Sequence, residues 1–136
     1  MYDYPTAAEL IAAARMQLEQ QVIPALGEPR LRFQTLVAAN VLAIVERELA
    51  GGEGHLAAAW RRMGGLLGER DGGPPAGPAL RAAVGQRGQA LCAAIRAGAF
   101  DEPVAERALL AHLRQAAEEE LAVSNPRYLE RVRQAP

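Results

Sequence analysis

The segment Leu31 to Ala50, LRFQTLVAANVLAIVERELA, is the longest apolar stretch in the chain and constrains its fold most. As one helix it spans about 30 Å at 1.5 Å per residue. Phe33, Leu36, Val37, Val41, Ile44 and Leu49 then fall around most of the circumference at about 100° per residue. A helix apolar on nearly all sides is normally enclosed by others. The segment is therefore expected to be a central hydrophobic helix on which the other helices pack. Asn40 sits as a polar residue in its middle.

Composition supports the same architecture. Half of the 136 residues are hydrophobic while aromatics make up only 4%, and alanine is abundant. Alanine is the best helix former and lets helices approach closely, which favours a bundle over a sheet. No stretch alternates apolar and polar residues with the β-branched richness of a half-buried strand. A chain of this length can bury a core without disulfides or metal. The expectation is an all-α fold: one domain over residues 1–136, with about five helices plus a short C-terminal helix.

Local signals place the ends of these helices. Residues 1–5 read as an extended arm, with Tyr2 and Tyr4 packing on the bundle or reaching a neighbouring subunit. Thr6-Ala7-Ala8-Glu9 is a capping box. It opens a helix with Leu10, Ala14, Leu18 and Val22 inward, which should bend or end at Pro24. Gly51-Gly52 reads as the stop of the central helix. A third helix is expected over His55 to Leu67, with Leu56, Trp60, Met63 and Leu67 at helical spacing. Residues 68–78, GERDGGPPAGP, read as a flexible loop. Pro78 suits the first turn of a fourth helix that turns Leu80, Val84, Leu91, Cys92 and Ile95 inward and ends at Gly98. Asp101 is expected to cap a fifth, with Leu109, Leu110, Leu113, Ala117 and Leu121 as its buried stripe. Glu118-Glu119-Glu120 reads as a solvated run, unless partner arginines explain it.

Charge and residue inventory narrow the chemistry. The net charge is −1 and every basic residue other than histidine is arginine. A near-neutral chain without a basic face argues against nucleic-acid binding. The lack of lysine removes a P-loop lysine, a Schiff-base lysine and a Ser–Lys pair. Cys92 is the sole cysteine, so no intrachain disulfide forms. No basic region followed by an apolar run marks a signal peptide, and no segment reads as a membrane span, so a cytoplasmic protein is expected. Thr6, Thr35 and Ser124 are the only Ser/Thr hydroxyls, and His55 and His112 the only imidazoles. Neither histidine stands in a Glu-x-x-His pair, so no metal or other cofactor is expected, and no catalytic residue is assigned.

Two constellations remain as candidate sites. Phe33, Asn40 and Arg47 recur every seven residues and share one stripe of the central helix. The structural reading buries Asn40 as a register-setting hydrogen-bond partner, with Arg47 snorkelling to a rim carboxylate. The functional reading makes the stripe a groove for an acyl, phosphate or carboxylate ligand. Asn125, Arg127 and Tyr128 form the second: Asn125 before Pro126 is capping chemistry, while Arg127 and Tyr128 are residue types favoured at interfaces.

The segments YPTAAELIAAA, VAANVLAIVEREL and ALCAAIRAGAFD with LAVSNPRYL resemble a bacterial domain family of unknown function. That family occurs alone or as an extension of aminoglycoside-phosphotransferase-like proteins. The resemblance implies an all-helical accessory domain, acting beside a phosphotransferase-like or acyl-CoA-metabolising enzyme; together with the thin catalytic inventory, the expectation is an interaction domain that associates with such a partner or with itself as a homodimer. It supplies no catalytic residue. The alternative is a small-molecule binding protein or enzyme with a pocket near Asn40 and Arg47.

Overall fold

The computed structural model describes residues 4–70 and 72–135, and these are all-α, with no strand among them. Tyr2, and Asp71 of the expected loop, lie outside the described residues. The helices are α1 (Ala7–Gln17), a π-helical turn (Leu18–Val22), α2 (Ile23–Ala25), α3 (Pro29–Leu66), α4 (Pro78–Arg96), α5 (Pro103–Ser124) and α6 (Pro126–Gln134). They divide into two compact units, residues 1–52 and 53–136, and helices pack on α3 in each.

In residues 1–52, Thr6 opens α1 with the expected capping box: Glu9 N–H donates to its hydroxyl at 3.2 Å, and Thr6 N–H donates to the Glu9 carboxylate at 2.7 Å. The helix does not stop at Pro24. A π turn precedes the proline, with Ile23 N–H donating to Leu18 C=O, and helix resumes to Ala25. A wider turn relieves the clash that a proline ring makes with the preceding turn. α3 then starts under a carboxylate: Glu28 accepts from Arg30 N–H at 2.9 Å and Leu31 N–H at 2.6 Å. Arg15 ties α1 to α3 by pairing with Glu46 at 2.8 Å. The expected inward Leu10 is 56% exposed, while Ile11, Arg15, Leu18 and Val22 form the partly buried line. Tyr4 is exposed as well.

The largest departure from expectation is that α3 passes through Gly51-Gly52 and absorbs the separate helix predicted from His55. Glycine ends a helix by taking a left-handed conformation, and neither Gly51 nor Gly52 does so. The stop comes at Gly68, with φ 70°. There Glu69 N–H donates to Gly64 C=O and Gly68 N–H to Gly65 C=O, a Schellman motif. α4 ends in the same way at Gly98, φ 82°, through Ala99 to Ala94 and Gly98 to Ile95.

The core of residues 53–136 is built from Met63, Leu91, Phe100 and Leu109, with Val84, Leu66 and Leu67 packed against it. Trp60 and Leu80 are also buried. Phe100, in the turn after α4, carries no helical periodicity and was not visible as a core residue. Cys92 is exposed rather than inward, because Leu91 takes the buried position beside it. α5 begins at a different cap from the one expected: Glu102 occupies the N-cap, without a side-chain capping bond. The ends of the 68–78 segment are fastened, Glu69 to Arg87 at 2.6 Å and Gly77 N–H to Glu53 at 3.1 Å.

Candidate functional site

The central helix presents its apolar side chains outward in residues 1–52. Ala39 is 2% exposed and marks the packed face, which includes the partly buried Leu42 and Glu46. On the opposite face, about 160° away, stand Val37 and Val41, at 47% and 51% exposure, with Phe33, 66% exposed, at its edge about 120° away. Leu36 lies on one shoulder, and Leu31 and Leu49 on the other; all three are about half exposed. The physical cause is that α1 covers only one side of α3. An apolar circumference predicts enclosure, and here the enclosing surface is absent from residues 1–52.

The stripe of Phe33, Asn40 and Arg47 runs down the flank between the two faces, from about 120° to about 80° away from Ala39. Phe33 and Asn40 are exposed, and Arg47 is partly buried. Asn40 is therefore not the buried register residue expected; the neighbouring Ala39 takes the core position instead.

The second candidate set is on α6 and its entry. Asn125 caps the helix, its side-chain oxygen accepting from Tyr128 N–H at 3.1 Å. Leu129 provides the buried contact of α6, while Arg127 and Tyr128 remain exposed and Arg131 stands 5.7 Å over the Tyr128 ring.

A polar cluster not predicted as a site lies within residues 53–136. The buried stripe of α5 runs through Leu109, His112 and Glu119, displaced from the predicted leucine stripe, so that Leu110 and Leu113 are exposed. Arg62 of α3 meets this stripe with a bidentate pair to Glu119, at 2.9 and 2.7 Å, and with Nε donating to His112 Nδ1 at 3.4 Å. Gln115 donates to Glu119 at 3.1 Å. Burial, reinforced by the Arg62 charge, holds the His112 imidazole below its ordinary range, so the ring is neutral near pH 7. Burial pushes the Glu119 carboxyl up, but bonds from Arg62 and Gln115 outweigh it and leave the group below its ordinary value. An ionised carboxylate held by a bidentate guanidinium is a poor proton shuttle, and the cluster reads as a tie between α3 and α5. Glu118 is likewise bound, by Arg114 and Arg133. Partner arginines thus account for two of the three glutamates in the acidic run. The one available sequence signal was the seven-residue spacing of His112 and Glu119 on a single helix line.

A family described as a domain of unknown function, DUF6285, matches residues 24–128. No curated protein and no solved structure matches the chain. No described helix is long and apolar enough to cross a membrane.

Proposed function

The chain belongs to the DUF6285 family, and on that premise we propose that it is a non-enzymatic helical interaction domain that binds protein through the outward face of α3. The observation that supports this reading is the exposure of Phe33, 66%, at the edge of a continuous apolar helix face. Large contiguous apolar patches on soluble proteins mark interaction sites, since leaving them in water forgoes about 25 cal/mol per Å². Phe33, Asn40 and Arg47 are assigned to the flank of this face as contact residues, with an aromatic anchor, an amide and a guanidinium that suit a protein interface. Asn125, Arg127 and Tyr128 are assigned a secondary contact role, with Asn125 holding the helix that presents the other two. The resemblance to extensions of phosphotransferase-like proteins adds the setting: an accessory domain beside such an enzyme, or beside one of acyl-CoA metabolism.

The experiment is affinity purification of the tagged full chain in parallel with Phe33→Glu. The native chain should retain a stoichiometric protein partner, a second copy included, that the variant loses. Identical recovery from both would overturn the proposal.

A further inference from the structure

We propose that Arg62, His112 and Glu119 form a proton-operated latch: a proton on the His112 ring expels the Arg62 guanidinium and frees the C-terminal half of α5 from α3. The latch lies within residues 53–136 and goes beyond the interaction-domain reading, which concerns another part of the chain.

One guanidinium spans both partners. Its Nε donates to His112 Nδ1 at 3.4 Å, and its two Nη atoms donate to the Glu119 carboxylate at 2.9 and 2.7 Å. Arginine has donors and no acceptor, so the bond to His112 exists only while Nδ1 carries a lone pair. Protonation replaces that lone pair with a second N–H aimed at the first. Turning the ring does not help, because an imidazolium donates at both nitrogens. Two cations then share one carboxylate in a half-dry site, and one of them must leave. His112 is 8% exposed while the Arg62 side chain is 26% exposed, so the guanidinium has the open path to water.

The surrounding charges set the direction. Those that act on the His112 ring are Arg62 of α3 and Glu119 of its own helix. Those that act on Glu119 are Arg62 and His55, both on α3 and seven residues apart along one line. With a neutral ring, Arg62 and Glu119 balance each other. With a charged ring, Glu119 gains an imidazolium partner on its own helix and Arg62 loses both of its bonds. Burial keeps the ring neutral near pH 7, so the latch is closed there and opens in acid, below the ordinary 6.5.

The apolar packing lies to one side of the latch. Leu109, three residues before His112, joins Met63, Leu91 and Phe100 in the core. Beyond His112, no residue from Leu113 to Ser124 is buried. The positions of that half that continue the His112 line are Ala116, Glu119 and Val123, all partly buried. Removing Arg62 from Glu119 takes a charge-assisted bidentate bond from a stretch with little buried apolar area of its own, while the core stays packed. Stretches of this kind open locally at less than the cost of global unfolding.

Hydrogen exchange of the full chain tests the latch, measured on either side of the His112 midpoint taken from its imidazole NMR signals. After correction for the intrinsic effect of pH on exchange, amides of residues 113–124 should exchange about 10-fold faster below the midpoint, while those of residues 86–96 around Leu91 keep their protection. His112→Gln keeps an acceptor for Arg62 and cannot be charged, so it should remove the difference. Should that variant fail to fold, the Arg62 Nε–H signal of the native chain decides, and it should change with the same midpoint as His112. Unchanged exchange of residues 113–124, equal acceleration of both segments, or a pH response that persists in His112→Gln overturns the inference. So does an Arg62 signal indifferent to the His112 midpoint, or a ring that stays neutral until the whole chain unfolds.

Discussion

The guanidinium carbon of Arg87 lies 3.3 Å from the centroid of the Trp60 ring. The same side chain donates to Trp60 C=O at 2.6 Å and pairs with Glu69 at 2.6 Å, and only 11% of it remains exposed. It occupies the space that a Cβ at Gly64 would need, with Arg87 Cζ 2.8 Å from that position. Gly64 thus serves a close approach of α4's arginine to the α3 backbone. A guanidinium stacked on an indole and partly desolvated contributes about 1–2 kcal/mol.

Gly64→Ala should therefore destabilise the fold by about 1 kcal/mol, although alanine has the better helix propensity by a similar amount. In an Arg87→Met background the same substitution should become neutral or stabilising. Urea denaturation of the four chains of this double-mutant cycle checks the reversal of sign.

Glycines divide by backbone conformation. Gly68→Ala and Gly98→Ala place a Cβ at positive φ and should each cost about 1–2 kcal/mol. Gly54→Ala lies within α3, where the added Cβ meets nothing within 4 Å, and should stabilise by roughly 1 kcal/mol. Thermal melts separate the two classes directly.

The tie between α3 and α5 predicts a loss on truncation. Arg62→Met leaves Glu119, whose side chain is 14% exposed, without its bidentate partner. The expected cost is about 2–3 kcal/mol, reduced from that of a fully buried pair because Arg62 is 26% exposed. Chemical denaturation reads it, and the midpoint should shift without a change in slope.

Stability should fall on acidification through the His112 range. The folded state holds this imidazole below its ordinary 6.5, so below that pH the unfolded chain binds more protons and stability drops as pH decreases. Glu119, also lowered, adds a loss of the same sign as pH falls below its ordinary 4.5. His112→Gln keeps an acceptor for Arg62 and should flatten the melting temperature between pH 6.5 and 5 while preserving the loss at lower pH.

Sequence by itself determined what depends on a few adjacent residues. The Thr6 capping box, Pro78 in the first turn of α4, the Asn125 cap and the glycine stop at Gly98 all act through hydrogen bonds or backbone angles within one turn. The all-α class followed from summed propensity and periodicity in the same way. Tertiary structure alone decided whether a signal was used. Gly51-Gly52 and Gly68 offer similar residues, but only Gly68 takes the left-handed angle that closes a helix. Periodicity put Leu110 and Leu113 inside, whereas the bidentate demand of Arg62 turned His112 and Glu119 inward instead. The apolar girth of α3 spoke of burial without saying by what. Burial is a property of the surfaces that meet, and α1 covers only the Ala39 side, leaving Phe33 and Val37 outside.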